Sequence, residues 1–305
     1  MNENPINVYI LDYPGVMMSA KYGVQDLFTI ANYQAEQELF VSYPLTTSTE
    51  PNLGCENVVF IPPCLSKDLP SFSSAEILSL LRTWHRSGAI LVSACAGVFW
   101  LANANLLNGK QVTTHWKLCD VLAQEHPLIK EVMKSEMVID QGNIITAAGL
   151  YAFQDLTLHV IARLAGFDLA KRVANFSLLD FKGRLQAYYQ RFYPCLSHGD
   201  PIIIKAQEFC SNHVYSDISI VQLADYCNLS QRTLLRRFRL ATGFSPKQYI
   251  IQLKIEKAKQ QMELENISVE KIGYKLGYSD ISNFTKVFKK VAGISPAEFR
   301  SRQAS

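Results

Sequence analysis

Charge is scarce in this 305-residue chain: charged residues make up 19% of it and hydrophobic residues 48%. A disordered, highly charged segment is therefore excluded as the bulk of the protein, and the length suits two domains with cores of their own. Paired thiols are also missing. The cysteines at 55, 64, 95, 119, 195, 210 and 227 are odd in number, scattered, and never form a C-x-x-C pair. That spacing excludes a disulfide framework and offers no zinc ligand set, so no metal and no cofactor are expected. The opening MNENPINVYI lacks the basic-then-apolar shape of a secretory signal, and a reduced cytoplasmic setting is the expectation. No charge occurs between Arg86 and Lys110, but Ser93, Gly97, Asn103 and Asn105 interrupt this apolar stretch. It reads as a buried strand running into a helix, not as a membrane span.

The net charge of +3 conceals an asymmetry. Residues 1–199 hold 14 Lys/Arg against 17 Asp/Glu, whereas residues 200–305 hold 16 against 10. An excess of positive charge confined to a compact C-terminal region fits a polyanionic partner.

Short apolar runs alternate with helical periodicity in the first half, which predicts a mostly parallel sheet covered by helices. Strands are expected at 6–11, 39–45, 57–63, over AILVSA, at 112–116, and in the pair MVID and NIITAA. Helices are expected at 23–37, 75–86, 117–125, 151–165 and 168–180. Residues 182–200 lose periodicity and gather Gly, Pro and Ser, marking a connector, after which the pattern is helical throughout. The resulting division is an α/β domain at 1–181, a linker at 182–201 and an all-α domain at 202–305.

The basic half repeats itself. Segment 218–246 aligns with 267–296 across one gap, pairing Ile218 with Ile267, Ser219 with Ser268, Phe238 with Phe288, Gly243 with Gly293 and Pro246 with Pro296. Each copy has a Ser suited to cap a short helix, a brief turn, a second helix carrying cations, and a Gly placed to end it. This is a helix-turn-helix present twice, at 218–243 and 267–293, with a linker helix at 246–264 between them. Phe238, Phe288, Leu223 and Ile272 read as core. The stretches LLRRFRLATGFSPKQYI, LKIEKAKQQ, IGYKLGYSDISNFTKVFKK and GISPAEFR resemble the DNA-binding domain of the AraC family of transcription regulators over about 202–302. The resemblance implies that the second helix of each copy enters a major groove of promoter DNA, with insertion points about one turn apart, roughly 34 Å. The groove-facing candidates are Gln231, Arg232, Leu235 and Arg236 in the first copy and Ile281, Ser282, Asn283 and Lys286 in the second. Arg232 or Arg236 can read guanine, and Asn283 can read adenine. Arg237, Arg239, Lys289 and Lys290 fall to phosphate or solvent.

In the first half, AILVSACAGVFWLA reads as strand, sharp turn and helix with Cys95 at the turn. Such an elbow exposes a nucleophile and aims a helix N-terminus at a bound group, and His115 in QVTTHW is the candidate base. Segments 89–102, 106–116 and 144–166 resemble the class I glutamine-amidotransferase-like fold, in its ThiJ/PfpI branch, which implies a flavodoxin-like α/β domain. Two departures from that branch bear on catalysis. Ser93 stands where a Gly is common, and Ala20 stands where many members carry an acid, with Asp26 several residues later.

Together the resemblances imply a sequence-specific regulator, more often an activator, whose amidotransferase-like domain binds a small-molecule effector instead of catalysing. The pocket candidates are Cys95, Ala96, Gly97 and His115, with plain burial an alternative fate for both side chains. Promoter DNA, RNA polymerase and a second copy of the chain are the implied partners. A Cys-dependent hydrolase or amidase with Cys95 as nucleophile and His115 as base, fused to a DNA-binding domain, is the competing reading.

Overall fold

Strand β1 (Ile6–Leu11) sets up both cores of the first half, because successive side chains of a strand leave on opposite faces. Val8 and Ile10 enter one hydrophobic cluster while Tyr9 and Leu11 enter another. The computed structural model describes residues 4–52, 54–65, 73–181 and 184–303. Lys182 and Gly183, the first residues of the expected connector, lie outside the described residues. The chain divides into two compact units, Met1–Gln186 and Ala187–Ser305.

In the first unit, helix α1 (Met18–Ala35) leads to β2 (Phe40–Leu45) and β3 (Asn57–Ile61). Helix α2 (Ala75–Arg86), strand β4 (Ile90–Ala94) and helix α3 (Val98–Asn103) follow, with Cys95–Gly97 as a single tight turn between the last two. Short strands β5 (Gln111–Val112) and β6 (Glu131–Val132) pair on either side of α4 (Cys119–Glu125). Strands β7 (Val138–Asp140) and β8 (Ile144–Ala147) then precede α5 (Phe153–Ala165) and α6 (Phe167–Phe176). The six-stranded sheet has the order β2-β1-β3-β4-β8-β7, parallel except for β7 against β8. Its first five strands follow the doubly wound, flavodoxin-like order.

Both faces are covered, which is why β3 and β4 are buried along their whole length. Val24, Phe28, Leu156 and Val173 of α1, α5 and α6 pack on Val58, Val92 and Ile145. Leu81 and Trp84 of α2 and Phe99 of α3 pack on Val59, Leu91 and Ile144. Each fully buried Leu, Ile or Phe of these layers contributes roughly 1.5–3 kcal/mol relative to exposure.

Two elements differ from expectation for stateable reasons. Helix α1 begins at Met18, five residues before the expected Gly23. Gly23 does not start the helix but lets α5 approach it, since a Cβ there would sit 2.8 Å from Phe153 Cε2. Of the stretch 112–116 only Val112 is strand, the last residue of β5. Beyond it, threonine side chains replace the ladder: Thr146 Oγ1 accepts from Thr113 N at 2.9 Å, and Thr114 Oγ1 donates to Cys95 O at 2.7 Å.

Helix α7 (Gln186–Tyr189) lies at the division between the units. The second unit is helical: α8 (Pro201–Asn212), α9 (Ile220–Tyr226), α10 (Gln231–Thr242), α11 (Pro246–Leu264), α12 (Val269–Lys275), α13 (Ile281–Ala292) and α14 (Pro296–Gln303). Side chains cap the starts of these helices. Ser219 with Gln222 and Ser245 with Gln248 form reciprocal capping boxes on α9 and α11, leaving fewer orphan N–H groups. Leu223, Leu234, Phe238 and Tyr249 form the core beneath the first copy of the repeat. Phe284, Phe288 and Phe299 stack edge-on beneath the second.

Candidate nucleic-acid interface and the cysteine elbow

Helix α10 buries Leu234 and Phe238 and turns its other face outward. Gln231, Arg232, Leu235 and Arg236 are all exposed. Ser230 Oγ accepts from Thr233 N, so the helix start that bears these residues is fixed by its own cap. Gly243 at φ +76° ends the helix in the left-handed conformation that favours glycine. Helix α13 repeats the plan, burying Phe284 and Phe288 and exposing Ser282, Asn283 and Lys286. Its cap is Asp280, whose Oδ1 accepts from Ser282 N at 2.8 Å.

Two of these side chains also make contacts within the unit. Ile281 is only half-exposed, and its Cδ1 would lie 2.9 Å from a Cβ placed on Gly273. It therefore packs α13 onto α12, because an apolar side chain beside a bare glycine gains more from that contact than from water. Arg237 was expected at phosphate or in solvent. It instead donates to both carboxylate oxygens of Asp200, at 2.9 and 2.6 Å. Asp200 also caps α8 by accepting from Ile202 N and Ile203 N, so this one carboxylate ties α10 to α8. The Arg237 guanidinium holds it below the usual carboxylate range. Arg239, Lys289 and Lys290 are exposed.

The sequence reading missed a polar cluster on α11. Lys259 is 2% exposed and donates to Gln190 O at 2.8 Å. Glu256 accepts from Phe192 N at 3.1 Å and from Arg191 at 3.3 Å, and Glu263 pairs with the same guanidinium. Burial pushes the Lys259 ammonium down to about 8. Glu256, Lys259 and Glu263 lie at i, i+3 and i+7 of one helix, and that charged stripe was the available signal.

In the first unit Cys95 sits at φ +53°, a left-handed conformation that a non-glycine residue occupies at a cost of about 1–2 kcal/mol. The strain confirms a sharp strand-to-helix elbow. Gly97 is required beside it, since a Cβ there would stand 2.8 Å from Pro62 O and 2.9 Å from Ile61 O. The thiol is closed off. Cys95 is 4% exposed, and burial pushes it up to about 12, although backbone N–H groups of Ala96 and His115 favour the thiolate. Cys64 and Cys119, the other groups acting on it, raise it further.

His115 brings its backbone to this thiol while its ring turns elsewhere. Nδ1 accepts from Lys117 N at 3.2 Å, and the ring stacks on Trp116 at 5.3 Å. Burial, followed by the Lys117 charge, lowers its pKa. Ala20, at the position where an acid was sought, is fully buried in the α1 core, and Asp26 is exposed. Tyr13, 5% exposed, donates its hydroxyl to Pro62 O and lies 5.7 Å from the Trp100 ring, filling the space over the neighbouring strand ends. A protonated, enclosed thiol without an imidazole bonded to it is not arranged for nucleophilic attack. No group of three or more His, Cys, Asp or Glu placed to hold a metal occurs among the described residues. No helix among them is long and apolar enough to cross a membrane.

Comparison with known proteins follows the same division. Residues 65–163 match the DJ-1/PfpI family, and residues 223–302 match a helix-turn-helix domain of the AraC type. The chain joins a DJ-1/PfpI domain to an AraC-type helix-turn-helix domain. It is similar to the HTH-type transcriptional regulator GbdR of Pseudomonas aeruginosa, 25% identical over 230 residues, covering 75% of this chain and 62% of that protein. CdhR of the same species, also an HTH-type transcriptional regulator, is 26% identical over 74% of this chain and 67% of its own length. The HTH-type transcriptional regulator ArgR of Pseudomonas aeruginosa is 24% identical over 92% of this chain and 83% of its own.

Proposed function

We propose that this protein is a transcription regulator that binds specific DNA through α10 and α13 and responds to a small molecule bound by its DJ-1/PfpI domain. The observation that carries the reading is the pair of capped helices whose inner faces are phenylalanine cores and whose outer faces expose Arg232, Arg236, Asn283 and Lys286. Guanidinium and carboxamide groups on such faces pair bidentately with guanine and adenine edges, while the surrounding cations meet phosphate. A second copy of the chain would present two such pairs to one operator. The effector acts by favouring one arrangement of the protein over another, which requires unequal affinity for the two.

Enrichment of random duplexes on the full chain, followed by competition binding, tests this. Arg236→Ala is expected to weaken the enriched site by about 1–3 kcal/mol while leaving random DNA nearly unaffected. Equal losses on both would make Arg236 a phosphate contact, and a wild-type chain that enriches no sequence would remove the regulator reading. Catalysis by Cys95 is the rival; the enclosed thiol argues against it, and Cys95→Ala is expected to retain DNA binding.

A further inference from the structure

Residues 188–195 are not strand and, past Tyr189, not helix, yet the second unit grips them along their length. At the start, the Tyr188 ring lies 5.2 Å from Phe299, whose own ring meets Phe288 at 5.7 Å in the core of the second helix-turn-helix copy. The Arg302 guanidinium stands over the same tyrosine at 5.3 Å. Farther on, Phe192 meets Phe244 at 5.8 Å and Tyr249 at 5.3 Å, and Tyr249 meets Phe238, in the core of the first copy, at 5.2 Å. Four residues of chain thus separate a ring seated on one copy from a ring seated on the other.

Between the two rings the segment is fastened to α11. A backbone outside any ladder or helix must find its hydrogen bonds elsewhere. Here Lys259 supplies the donor for Gln190 O, and Glu256 supplies the acceptor for Phe192 N. Arg191 spans Glu256 and Glu263 on the same helix. Glu256 and Lys259 are both buried, and charges so placed are tolerated only with partners, so the segment and the helix face depend on each other. Cys195 O then accepts from Gln207 Nε2 at 3.1 Å, and the same nitrogen reaches the Tyr249 hydroxyl. A cavity of about 40 Å³ marks the seam, lined by Gln190 and Phe192, by Ile255, Glu256 and Lys259 of α11, and by Val291 of α13. That volume is far below what an organic ligand needs, so the seam is packing and not a binding site. A single helix joining two small bundles leaves their relative roll to whatever packs across it, and this segment packs across it onto both.

We infer that Tyr188, Arg191 and Phe192 are positioning residues for DNA binding: docked across α11, they fix the separation and relative roll of α10 and α13. The inference rests on the regulator reading, and it gives a part in that reading to residues that lie on neither recognition helix. From Tyr188 onward, the stretch that the sequence marks as connector belongs to the DNA-binding unit.

Competition binding on a spacing series tests it. The wild-type chain enriches a site, and duplexes are made with one base pair added or removed between its two protected segments. One base pair shifts the second segment by about 3.4 Å and turns it by about 34°, so the wild-type chain is expected to lose about tenfold or more on both duplexes. Arg191→Ala and Phe192→Ala should each bind the enriched site about threefold or more weakly, yet lose no more than about threefold between that site and the spacing variants. Arg191→Lys keeps a cation beside Glu256 and Glu263 and should recover part of the wild-type profile. Base preference within each segment should stay as in the wild type, which sets these residues apart from Arg236 and Asn283. Hydrogen exchange of the full chain gives a reading without DNA: residues 188–195 should exchange slowly in the wild type and faster in both alanine variants. The inference is overturned if the variants keep the wild-type spacing profile, if every duplex weakens by the same factor, or if exchange over 188–195 is as fast in the wild type as in both variants. A wild-type chain that enriches no sequence removes the regulator reading and this role with it, whereas an enriched site with an unchanged profile removes this role alone.

Discussion

The two helix-turn-helix copies share their interior and differ on their surface. Phe238 and Phe288 are both fully buried, and Gly243 and Gly293 end their helices at φ +76° and +79°. The turns diverge: Asn228 takes the left-handed position in the first copy, at φ +51°, and Gly277 takes it in the second, at φ +79°. The cap moves as well, from Ser230 to Asp280, because the second copy has one more residue ahead of its second helix. Ala224 sits where Gly273 admits Ile281 and Phe284. The outer faces differ at the helix starts, Arg232 and Thr233 on α10 against Ser282 and Asn283 on α13, while Arg236 and Lys286 keep a cation at the same position. Retained core with altered surface indicates that packing fixes the motif and leaves the exposed positions free to differ.

That comparison can be broken most forcefully in the core. Phe238→Ala and Phe288→Ala are each expected to destabilise the second unit by about 3–5 kcal/mol in urea titrations. Similar losses would confirm equivalent cores, and a loss below about 1 kcal/mol in only one would show that the copies do not bear load alike. The turns sharpen it further. Gly277→Ala should cost about 1–2 kcal/mol, from the left-handed backbone and from a Cβ 3.3 Å from Lys254 Nζ. Asn228→Gly should cost little, since asparagine already carries that strain. Equal responses would mean the turns are conformationally alike.

A further test concerns α11, the helix between the copies. Lys259 titrates near 8 when folded against 10.5 in the unfolded chain. The unfolded state therefore binds more protons between those values, and stability rises with pH across that window. Lys259→Met should flatten the rise in stability measured from pH 8 to 10.5. An unchanged slope would place the titration elsewhere.

How much of this was legible depended on whether the cause was local. The periodicity of Ile77, Leu80, Leu81 and Trp84 predicts a helix over 75–86, and α2 has those bounds. The run INVYIL predicts β1 equally well, and the self-similar segments predict two capped helical pairs. Cys95 at a sharp turn was likewise written in its small-residue neighbours. Readings failed where distant residues decided the outcome. Gly23 lies mid-helix because Phe153 packs on it, and Arg237 is engaged because Asp200, thirty-seven residues earlier, reaches it. The elbow is closed by Tyr13, Ile61 and Pro62 from neighbouring strand ends, none of which its own motif names. A cleft in the first unit joins Glu136, Asp155 and Phe181, which have no common spacing.

The central claim is that α10 and α13 read DNA side by side, each with its own bases. Hydroxyl-radical footprinting of the full chain on an enriched site measures this directly. Two protected segments about 10 base pairs apart are expected, with Arg236→Ala relaxing base preference in one and Asn283→Ala in the other. A single protected segment, or the same bases affected by both changes, would contradict it.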